Sequence, residues 1–398
     1  MAELKSTDRV VVVGAGLAGA QCAVALREGG FDGGLTLVGA EPHRPYDRPP
    51  LSKDVLLGKA EGTTFDLDWD GLGVELLTGR RATALTPGTL HTDAGDLGYD
   101  RLVLATGATP IRLPGDGAAR VLRTVDDALA LRSALRPGAH LVLVGAGWIG
   151  AETATAARLL GCRVTVIEAA ELPLPGALPA ELARPMVGWY AEAGVDLRLG
   201  ARVERIEPGV VHLAGGASVA GDEVLVGVGA RPDTGWLAGS AVALDAAGAI
   251  VADERLRTSV PDVWAAGDCA SYPSLRFGNR TAVQHWDHAL HSGRAVASGL
   301  LGGTDPYDPV PYFWSEQFGR MVQYAGRHRD GDRVLWRGTP EDPEWSVLWL
   351  REGRLTAVLA VDRPRDLAQG RRLVDQARVL DPAAAADPAV ALKSAVLD

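Results

Sequence analysis

The sequence is short of cysteine, of lysine and of long apolar runs. Its three cysteines, Cys22, Cys162 and Cys269, lie far apart without a CxxC pair, which argues against a zinc site, a disulfide framework and a dithiol redox centre. Apolar runs such as Leu141–Val144 are far shorter than the roughly 18 residues that a membrane-spanning helix needs. Met1–Arg9 is polar and leaves no room for a leader peptide, so we expect a cytoplasmic protein without a membrane partner.

The charge of the chain is acidic and its cations are nearly all arginine. The formal net charge is −10 over 398 residues. Because nonspecific nucleic-acid binding depends on neutralising phosphates with basic side chains, we expect no nucleic-acid partner. Only four of the 40 basic residues are lysines, at positions 5, 53, 59 and 393. Lys53, inside a proline-rich segment, therefore stands out as a candidate functional residue.

Apolar strand-like runs alternate with Ala-rich helical segments through most of the chain, a pattern typical of α/β proteins with parallel sheets. A strand at Arg9–Val13 leads through a glycine turn to a helix at Leu17–Glu28, and a strand at Leu35–Val38 follows. The same plan recurs over His140–Glu168. This duplication predicts two Rossmann-like dinucleotide-binding domains.

Strand-like segments return between Val242 and Cys269, so we expect the second domain to be inserted into the first. From about Asp305 the chain turns to Trp-bearing strands and a final helix near Asp366–Leu380, which predicts a small C-terminal α+β domain. The tail Asp381–Asp398 is Ala-rich and low in information. The predicted division is 1–112 and 239–304 for the first domain, 113–238 for the second and 305–398 for the third.

Each of the two units carries a GxGxxG turn between its strand and its helix. The glycines are Gly14, Gly16 and Gly19 in the first unit and Gly145, Gly147 and Gly150 in the second. The first glycine permits the tight turn, the second lets the backbone approach a diphosphate, and the third lets helix and strand pack closely. One such turn is a weak signal, but two copies in full strand–turn–helix–strand context indicate two bound dinucleotides.

The acidic residue that follows the turn differs between the two units. In the second, Glu168 lies about 20 residues beyond the turn, where a carboxylate binds ribose hydroxyls. No arginine follows it to meet a 2′-phosphate, so we expect NADH rather than NADPH. In the first unit the corresponding residue is Ala40 with Glu41 next to it, and the acidic contact there stays open. A pair of dinucleotides usually exchanges a hydride between nicotinamide and flavin.

The segment Arg44–Lys53, RPYDRPPLSK, resembles a motif of the FAD-dependent ferredoxin reductases that serve Rieske dioxygenases and haem monooxygenases, the rubredoxin and putidaredoxin reductase family. Matching segments extend over almost the whole chain: Tyr99–Gly107, Leu122–Thr124, Gly145–Glu152, Ala265–Cys269, Gln284–Trp286 and Phe313–Gln317. The resemblance implies a glutathione-reductase-like fold, FAD as the flavin, NADH as the reductant and an iron–sulfur ferredoxin as the electron acceptor.

The motifs and the resemblance together predict the binding residues. The FAD contacts are Gly14, Gly16, Ala18, Gly19, Glu41, Arg48, Lys53, Ala82, Thr106, Gly107, Arg123, Asp268, Trp286 and Trp314. The NADH contacts are Gly145, Gly147, Trp148, Ile149, Gly150, Glu152, Glu168 and Gly229. Lys53 and Glu152 are the predicted catalytic pair, which the resemblance places near the flavin N5 edge to orient the two reacting rings. The implied role of Asp268 is to accept hydrogen bonds from the ribityl hydroxyls.

Hydride transfer to a flavin requires no deprotonation of the substrate. We therefore expect the histidines that invite a general-base role to be structural or surface residues; they are His43, His285, His288 and His291.

Two other functions stay open at this point. A disulfide reductase or NADH oxidase uses a cysteine beside the flavin, and Glu41–Lys53 contains none. A flavin-bound interaction protein resembling apoptosis-inducing factor would differ in lacking steady-state turnover with an electron acceptor. Candidates for a ferredoxin dock are Arg294, Arg320, Arg327, Arg371 and Arg372, with an ordinary solvated surface as the alternative. Monomer and homodimer are both compatible with the sequence.

Overall fold

The structure is a computed structural model that describes residues 4–115, 117 and 119–397. The helices of this part of the chain are α1 (Leu17–Glu28), α2 (Val125–Ala134), α3 (Trp148–Leu159), α4 (Ala180–Glu192), α5 (Trp286–Leu300), α6 (Pro364–Asp375) and α7 (Pro382–Ala386). The strands are β1 (Arg9–Val13), β2 (Gly34–Val38), β3 (Glu75–Leu77), β4 (Ala82–Thr86), β5 (Thr89–Thr92), β6 (Leu97–Gly98), β7 (Arg101–Leu104), β8 (Ala108–Pro110), β9 (His140–Val144), β10 (Arg163–Ile167), β11 (Asp196–Arg198), β12 (Val203–Glu207), β13 (Val210–Leu213), β14 (Ser218–Ala220), β15 (Glu223–Val226), β16 (Ala230–Pro232), β17 (Ile250–Val251), β18 (Val263–Ala265), β19 (Ala270–Ser274), β20 (Asn279–Ala282), β21 (Tyr312–Gln317), β22 (Arg320–Gly326), β23 (Arg333–Arg337), β24 (Trp345–Arg351) and β25 (Arg354–Val361). None of these helices is long and apolar enough to cross a membrane.

The first of two compact units comprises the described part of Met1–Asp47 together with Thr63–Thr109 and Arg231–Pro311. Its parallel sheet has the strand order β18-β7-β1-β2-β3. Because β18 pairs with β7, the chain returns to this first sheet only after it has built the second sheet. The insertion predicted from the sequence is therefore confirmed.

Strand β1 shows how the sequence determines this core. Its valines are β-branched and favour extended backbone. Val10 and Val12 face a core that includes α1 and α5, and Val11 and Val13 face a second core on the other side of the sheet. Burial on both faces explains why the strand is continuously apolar rather than alternating.

The second unit comprises Arg48–Gly62, Pro110–Ala230 and the described part of Tyr312–Asp398. Its parallel sheet has the order β11-β10-β9-β15, and an antiparallel sheet has the order β21-β22-β25-β24-β23. Helix α6 packs on the antiparallel sheet, against β25 and β22. The predicted α/β class is confirmed, whereas the division at residues 112, 238 and 304 stays a prediction.

The helix predicted near Asp366–Leu380 is shorter in the structure, and a further short helix, α7, follows it. α6 begins at Pro364, since proline suits the first turn of a helix, where its missing N–H is not needed. It ends at Asp375 rather than near Leu380. Ala377 has a φ of 50°, a left-handed conformation that interrupts the helical path. Leu380 instead forms a β-bridge with Val396.

The Ala-rich tail is anchored by a buried arginine. Arg337 is 1% exposed and forms a two-contact ion pair with Asp366. Its remaining N–H groups donate to the carbonyl oxygens of Ala385, Asp387 and Val390. The tail therefore packs on the antiparallel sheet through contacts that its own composition does not indicate.

Candidate functional site

The first glycine turn is shaped by two close backbone approaches. Gly14 has a φ of 109°, and a Cβ built on it would lie 2.1 Å from the carbonyl oxygen of Ala105. A Cβ on Gly19 would lie 2.0 Å from the carbonyl oxygen of Gly14. Gly16 differs, because no atom of the described chain outside its neighbours lies within 4 Å of its Cβ position. Open space at the N-terminus of α1 fits a diphosphate held by helix N–H groups.

The turn after β18 lies next to the same helix start. A Cβ on Gly267 would lie 2.9 Å from the Cβ of Ala18, so only a glycine lets the turn that carries Asp268 approach α1 this closely. Thr106 follows shortly after β7, and its Oγ1 donates to the carbonyl oxygen of Asp233 at 2.7 Å. These contacts fix the backbone at two of the predicted FAD positions.

The side chain of His288 contacts the backbone of the Gly267 turn. Its Nε2 lies 3.3 Å from the carbonyl oxygen of Gly267, which can only accept, so Nδ1 is left to accept from the Tyr307 hydroxyl at 2.8 Å. Burial lowers the pKa of His288 to about 4, so the ring is neutral at pH 7. These contacts fit the structural role predicted for this histidine.

Two further predicted positions in the first unit have defined partners. The Glu41 carboxylate accepts a hydrogen bond of 2.5 Å from the Tyr46 hydroxyl, while Ala40 is exposed. Trp286, the first residue of α5, donates its indole N–H to Asp47 Oδ1 at 2.6 Å. Tyr46 and Asp47 belong to the proline-rich motif. The motif therefore orients two side chains outside it, those of Glu41 and Trp286.

The predicted FAD contacts are distributed over both units. Those of the first unit are Gly14, Gly16, Ala18, Gly19, Glu41, Ala82, Thr106, Gly107, Asp268 and Trp286. Those of the second unit are Arg48, Lys53, Arg123 and Trp314. Within the second unit, Arg48 Nη1 donates to the carbonyl oxygen of Arg123 at 2.5 Å.

The second glycine turn repeats the geometry of the first. A Cβ on Gly145 would lie 2.5 Å from the carbonyl oxygen of Gly227, and a Cβ on Gly150 would lie 2.2 Å from that of Gly145. Gly147 directly precedes α3, and the nearest atom of the described chain to its Cβ position, outside its neighbours, is the carbonyl oxygen of Gly227, 3.9 Å away. Ile149 in the first turn of α3 is 42% exposed. This helix start likewise fits a diphosphate.

Glu168 is fixed beside the second turn. It follows β10 and is 8% exposed. Its Oε2 accepts from the N–H of Ala146 at 2.8 Å and its Oε1 from the N–H of Ala170 at 2.9 Å. Because each carboxylate oxygen has two lone pairs, acceptor capacity remains for ribose hydroxyls. Gly229, also predicted as a contact, has a φ of 111°.

The structure brings Lys53 and Glu152 together. Lys53 Nζ lies 2.7 Å from Glu152 Oε2, and the two side chains are 16% and 5% exposed. The same Nζ donates to the carbonyl oxygen of Pro49 at 3.2 Å. An ammonium has three N–H groups, and the described residues supply no third acceptor. One N–H of a partly buried cation is thus left for a ligand.

Two serines that the sequence analysis gave no role share the Glu152 carboxylate. Ser52 Oγ donates to Oε2 at 2.5 Å, and Ser315 Oγ donates to Oε1 at 2.7 Å. Both serines are buried. Each serine lies inside a segment that carries the family resemblance, and that was the signal in the sequence that could have identified it. Their shared partner, Glu152, is far from both in sequence.

The candidate docking arginines differ in how strongly they are engaged. Arg320 pairs with Glu192 at 2.7 Å, and its guanidinium lies 4.9 Å from the ring centre of Trp189. Arg294 donates to Gln21 Oε1 at 2.9 Å, lies 3.8 Å from Glu28 Oε2 and is half exposed. Arg320 is therefore mainly a packing residue here, whereas Arg294 presents more of its charge to solvent.

The aromatic residues of β21 lie beside another of these arginines. The rings of Tyr312 and Trp314 stack with centres 5.9 Å apart. Arg371 places its guanidinium 4.9 Å from the centre of the Tyr312 ring. The next residue, Arg372, is exposed, and Arg327 is partly buried.

The cysteines have no redox partner. Cys22, Cys162 and Cys269 are free and buried. Burial raises the pKa of the Cys22 thiol to about 12 and that of Cys269 to about 11, so neither forms a thiolate nucleophile at pH 7. No cluster of side chains in the described part of the chain is arranged to hold a metal ion.

Two protein families match the chain. A family described as pyridine nucleotide-disulphide oxidoreductase matches residues 8–293. A family described as reductase C-terminal matches residues 312–396. The two matches follow one another along the chain and include every predicted catalytic and cofactor-binding residue.

Individual proteins match over nearly their full length. The chain is 37% identical over 386 residues to the 5,5'-dehydrodivanillate O-demethylase ferredoxin reductase subunit of a Sphingobium species, covering 92% of each chain. It is 36% identical to the ferredoxin–NAD(+) reductase component of the p-cumate 2,3-dioxygenase system of Pseudomonas putida, covering 93% and 94%. A solved covalent putidaredoxin reductase–putidaredoxin complex contains a chain with a TM-score of 0.94 and 31% identity, with 98% of each chain covered.

Proposed function

Because the chain belongs to the pyridine nucleotide-disulphide oxidoreductase family and carries the reductase C-terminal domain, we propose that it is an NADH-dependent ferredoxin reductase that binds FAD. The observation that carries the proposal is the ion pair between Lys53 of the proline-rich segment and the buried Glu152, which lies on α3 just after the second glycine turn. FAD, when bound, supplies a hydride acceptor for NADH and a donor of single electrons to an iron–sulfur ferredoxin.

The first unit contributes most of the FAD-binding groups in this proposal. The N–H groups at the start of α1 bind the diphosphate, whose approach is allowed by the open space at Gly16. Asp268 accepts from the ribityl hydroxyls. Glu41, oriented by Tyr46, takes the place of the missing acidic residue at Ala40.

The second unit contributes the NADH-binding groups. The turn Gly145–Gly150 binds the diphosphate, and Glu168 accepts from the adenosine ribose hydroxyls. A 2′-phosphate would meet this carboxylate as a like charge, so NADH is preferred to NADPH. Kinetic comparison of the two coenzymes tests that preference.

Lys53 and Glu152 orient the reactants rather than react with them. The remaining N–H of the ammonium would be available to the bound rings, and the buried carboxylate holds the ammonium in place. Hydride transfer requires no protein nucleophile. The absence of cysteine from Glu41–Lys53 argues against disulfide reduction.

The proposal is tested on the purified protein. It should be yellow, lose its flavin absorbance under anaerobic NADH, and reduce cytochrome c only when an iron–sulfur ferredoxin is added. A colourless protein that takes up no FAD would overturn the proposal. A yellow protein without turnover would favour the interaction-protein function instead.

The open space at Gly16 gives a prediction about FAD binding. A Gly16→Ala change adds a methyl group that meets no atom of the described chain, so we expect the flavin-free protein to unfold at the wild-type temperature. The methyl group occupies the approach of the diphosphate, so FAD affinity should fall about 10-fold, or 1.4 kcal/mol. Titration of flavin-free protein with FAD measures the effect.

Gly235 provides the matched control, since its Cβ position is also open and it lies in a short helical turn without a predicted ligand. Gly235→Ala should change neither stability nor FAD affinity. Wild-type FAD affinity in Gly16→Ala would show that the diphosphate lies elsewhere.

We also propose that Arg294 contributes to ferredoxin docking. Arg294→Glu should slow ferredoxin reduction about 10-fold at low ionic strength, because complementary charge increases association rates. The difference should shrink as salt is added, while NADH oxidation by ferricyanide stays unchanged. Arg205→Glu, an equally exposed change on β12, is the control. Equal loss of both activities in Arg294→Glu would count against docking.

A further inference from the structure

The buried hydroxyl of Ser315 is tied to the reaction centre by a directed chain of hydrogen bonds. Gln317 Nε2 donates to Ser315 Oγ at 3.2 Å, which leaves the single hydroxyl proton of Ser315 to donate to Glu152 Oε1 at 2.7 Å. Ser315 and Gln317 are 0% and 1% exposed. Water therefore does not replace either donor, and the described residues supply no second donor to Oε1.

The two oxygens of the Glu152 carboxylate have different donors. Oε2 accepts from the Lys53 ammonium and from Ser52, both of which belong to one segment of the chain. Oε1 depends on Ser315, which belongs to the antiparallel sheet. A carboxylate held at both oxygens has a fixed plane, whereas a carboxylate held at one oxygen can rotate about its last side-chain bond.

Strand β21 meets α3 along one stripe of the helix. Trp148, Glu152 and Thr155 are spaced so that they face the same side of α3. Their partners, in the same order, are the ring of Phe313 at 4.7 Å between centres, the hydroxyl of Ser315 at 2.7 Å and the N–H of Phe318 at 2.9 Å. The serine is therefore placed by contacts on both sides of it along the stripe.

We propose that Ser315 is a positioning residue for hydride transfer. It fixes the plane of the Glu152 carboxylate and, through it, the direction of the Lys53 ammonium. The C-terminal sheet thus contributes to the geometry of the reaction centre without touching the reactants. This inference rests on the proposed function of the Lys53–Glu152 pair.

A double-mutant cycle on the FAD-loaded protein tests the inference. The variants are Ser315→Ala, Glu152→Ala and the double variant, and the measurement is the rate of anaerobic flavin reduction at saturating NADH. Ser315→Ala should slow reduction about 10-fold in the wild type and less than about 2-fold in Glu152→Ala, since contacting residues are not additive. The apparent NADH dissociation constant of Ser315→Ala should stay within about 2-fold of the wild-type value, because the change leaves the turn Gly145–Gly150 and Glu168 in place.

A second readout is independent of turnover. The midpoint potential of the bound flavin, measured by dye equilibration, should shift in Ser315→Ala and stay unshifted when the same change is made in Glu152→Ala. Ser315→Thr, which keeps the hydroxyl, should restore both potential and rate.

Ser346→Ala is the matched control. Ser346 is also fully buried in the C-terminal sheet and donates to a buried carboxylate, Asp366, at 2.8 Å. It should lose thermal stability without changing the flavin potential or the rate. The inference is overturned if Ser315→Ala reacts at the wild-type rate or if its effect is undiminished in Glu152→Ala. Failure of the wild type itself to be reduced by NADH would instead overturn the proposed function.

Discussion

A Lys53→Met variant is expected to be reduced by NADH about 100-fold more slowly than the wild type, because one preorganised charged donor is typically worth that much. Methionine keeps the length of the side chain but has no N–H to direct at the reactants. The Glu152 carboxylate, 5% exposed, also loses the only cation that the described residues place beside it. Stopped-flow measurement of flavin absorbance after anaerobic mixing with NADH gives the rate directly.

Lys59 provides the control from the same segment. It is 67% exposed and lies 4.0 Å from Asp54, so its ion pair contributes little. Lys59→Met should be reduced at the wild-type rate and retain its FAD. A Lys53→Met protein that is reduced as fast as Lys59→Met would remove the pair from the mechanism.

The second large effect is expected on stability. An Arg337→Met variant should unfold on the order of 10 °C below the wild type, because removing one partner of a buried ion pair costs about 3–5 kcal/mol. Arg337 is 1% exposed, and its loss leaves the Asp366 carboxylate buried with a single well-aligned guanidinium, that of Arg363. The measurement is thermal unfolding followed by circular dichroism.

Hydrogen exchange distinguishes this local mechanism from general destabilisation. The amides of residues 383–390 should lose protection first, because Arg337 holds three carbonyl oxygens of that segment. Arg354→Met is the control, since Arg354 is exposed and donates to a single carbonyl oxygen, that of Ala377. Equal protection of the tail in Arg337→Met and the wild type would contradict the anchoring role.

The parts of the fold that the sequence predicted are those with local causes. Helix α1 has the predicted bounds Leu17–Glu28, because a glycine turn precedes it and Gly29-Gly30 ends it. Strand β1 has the predicted bounds because its valines are buried on both faces. The two GxGxxG turns are also local, because each directly follows a strand and needs glycine where the backbone comes close to another carbonyl oxygen.

The parts that escaped prediction depend on distant partners. Ser315 lies 163 positions from Glu152, and no spacing rule connects a strand serine to a helix carboxylate across that interval. The end of α6 is set by the left-handed Ala377, which has no glycine or proline signal. The docking candidate Arg320 forms an ion pair with Glu192. The sequence does not predict this contact, because the two residues are far apart along the chain.

The order of the chain determines when the first sheet and the surroundings of Glu152 can be completed during synthesis. Domains emerge from the ribosome N-terminal part first. The first sheet lacks an edge strand until Val263–Ala265 has been made, and Glu152 lacks its Oε1 donor until Ser315 has been made. The Glu152 carboxylate is therefore without its complete set of hydrogen-bond donors until most of the protein has been translated.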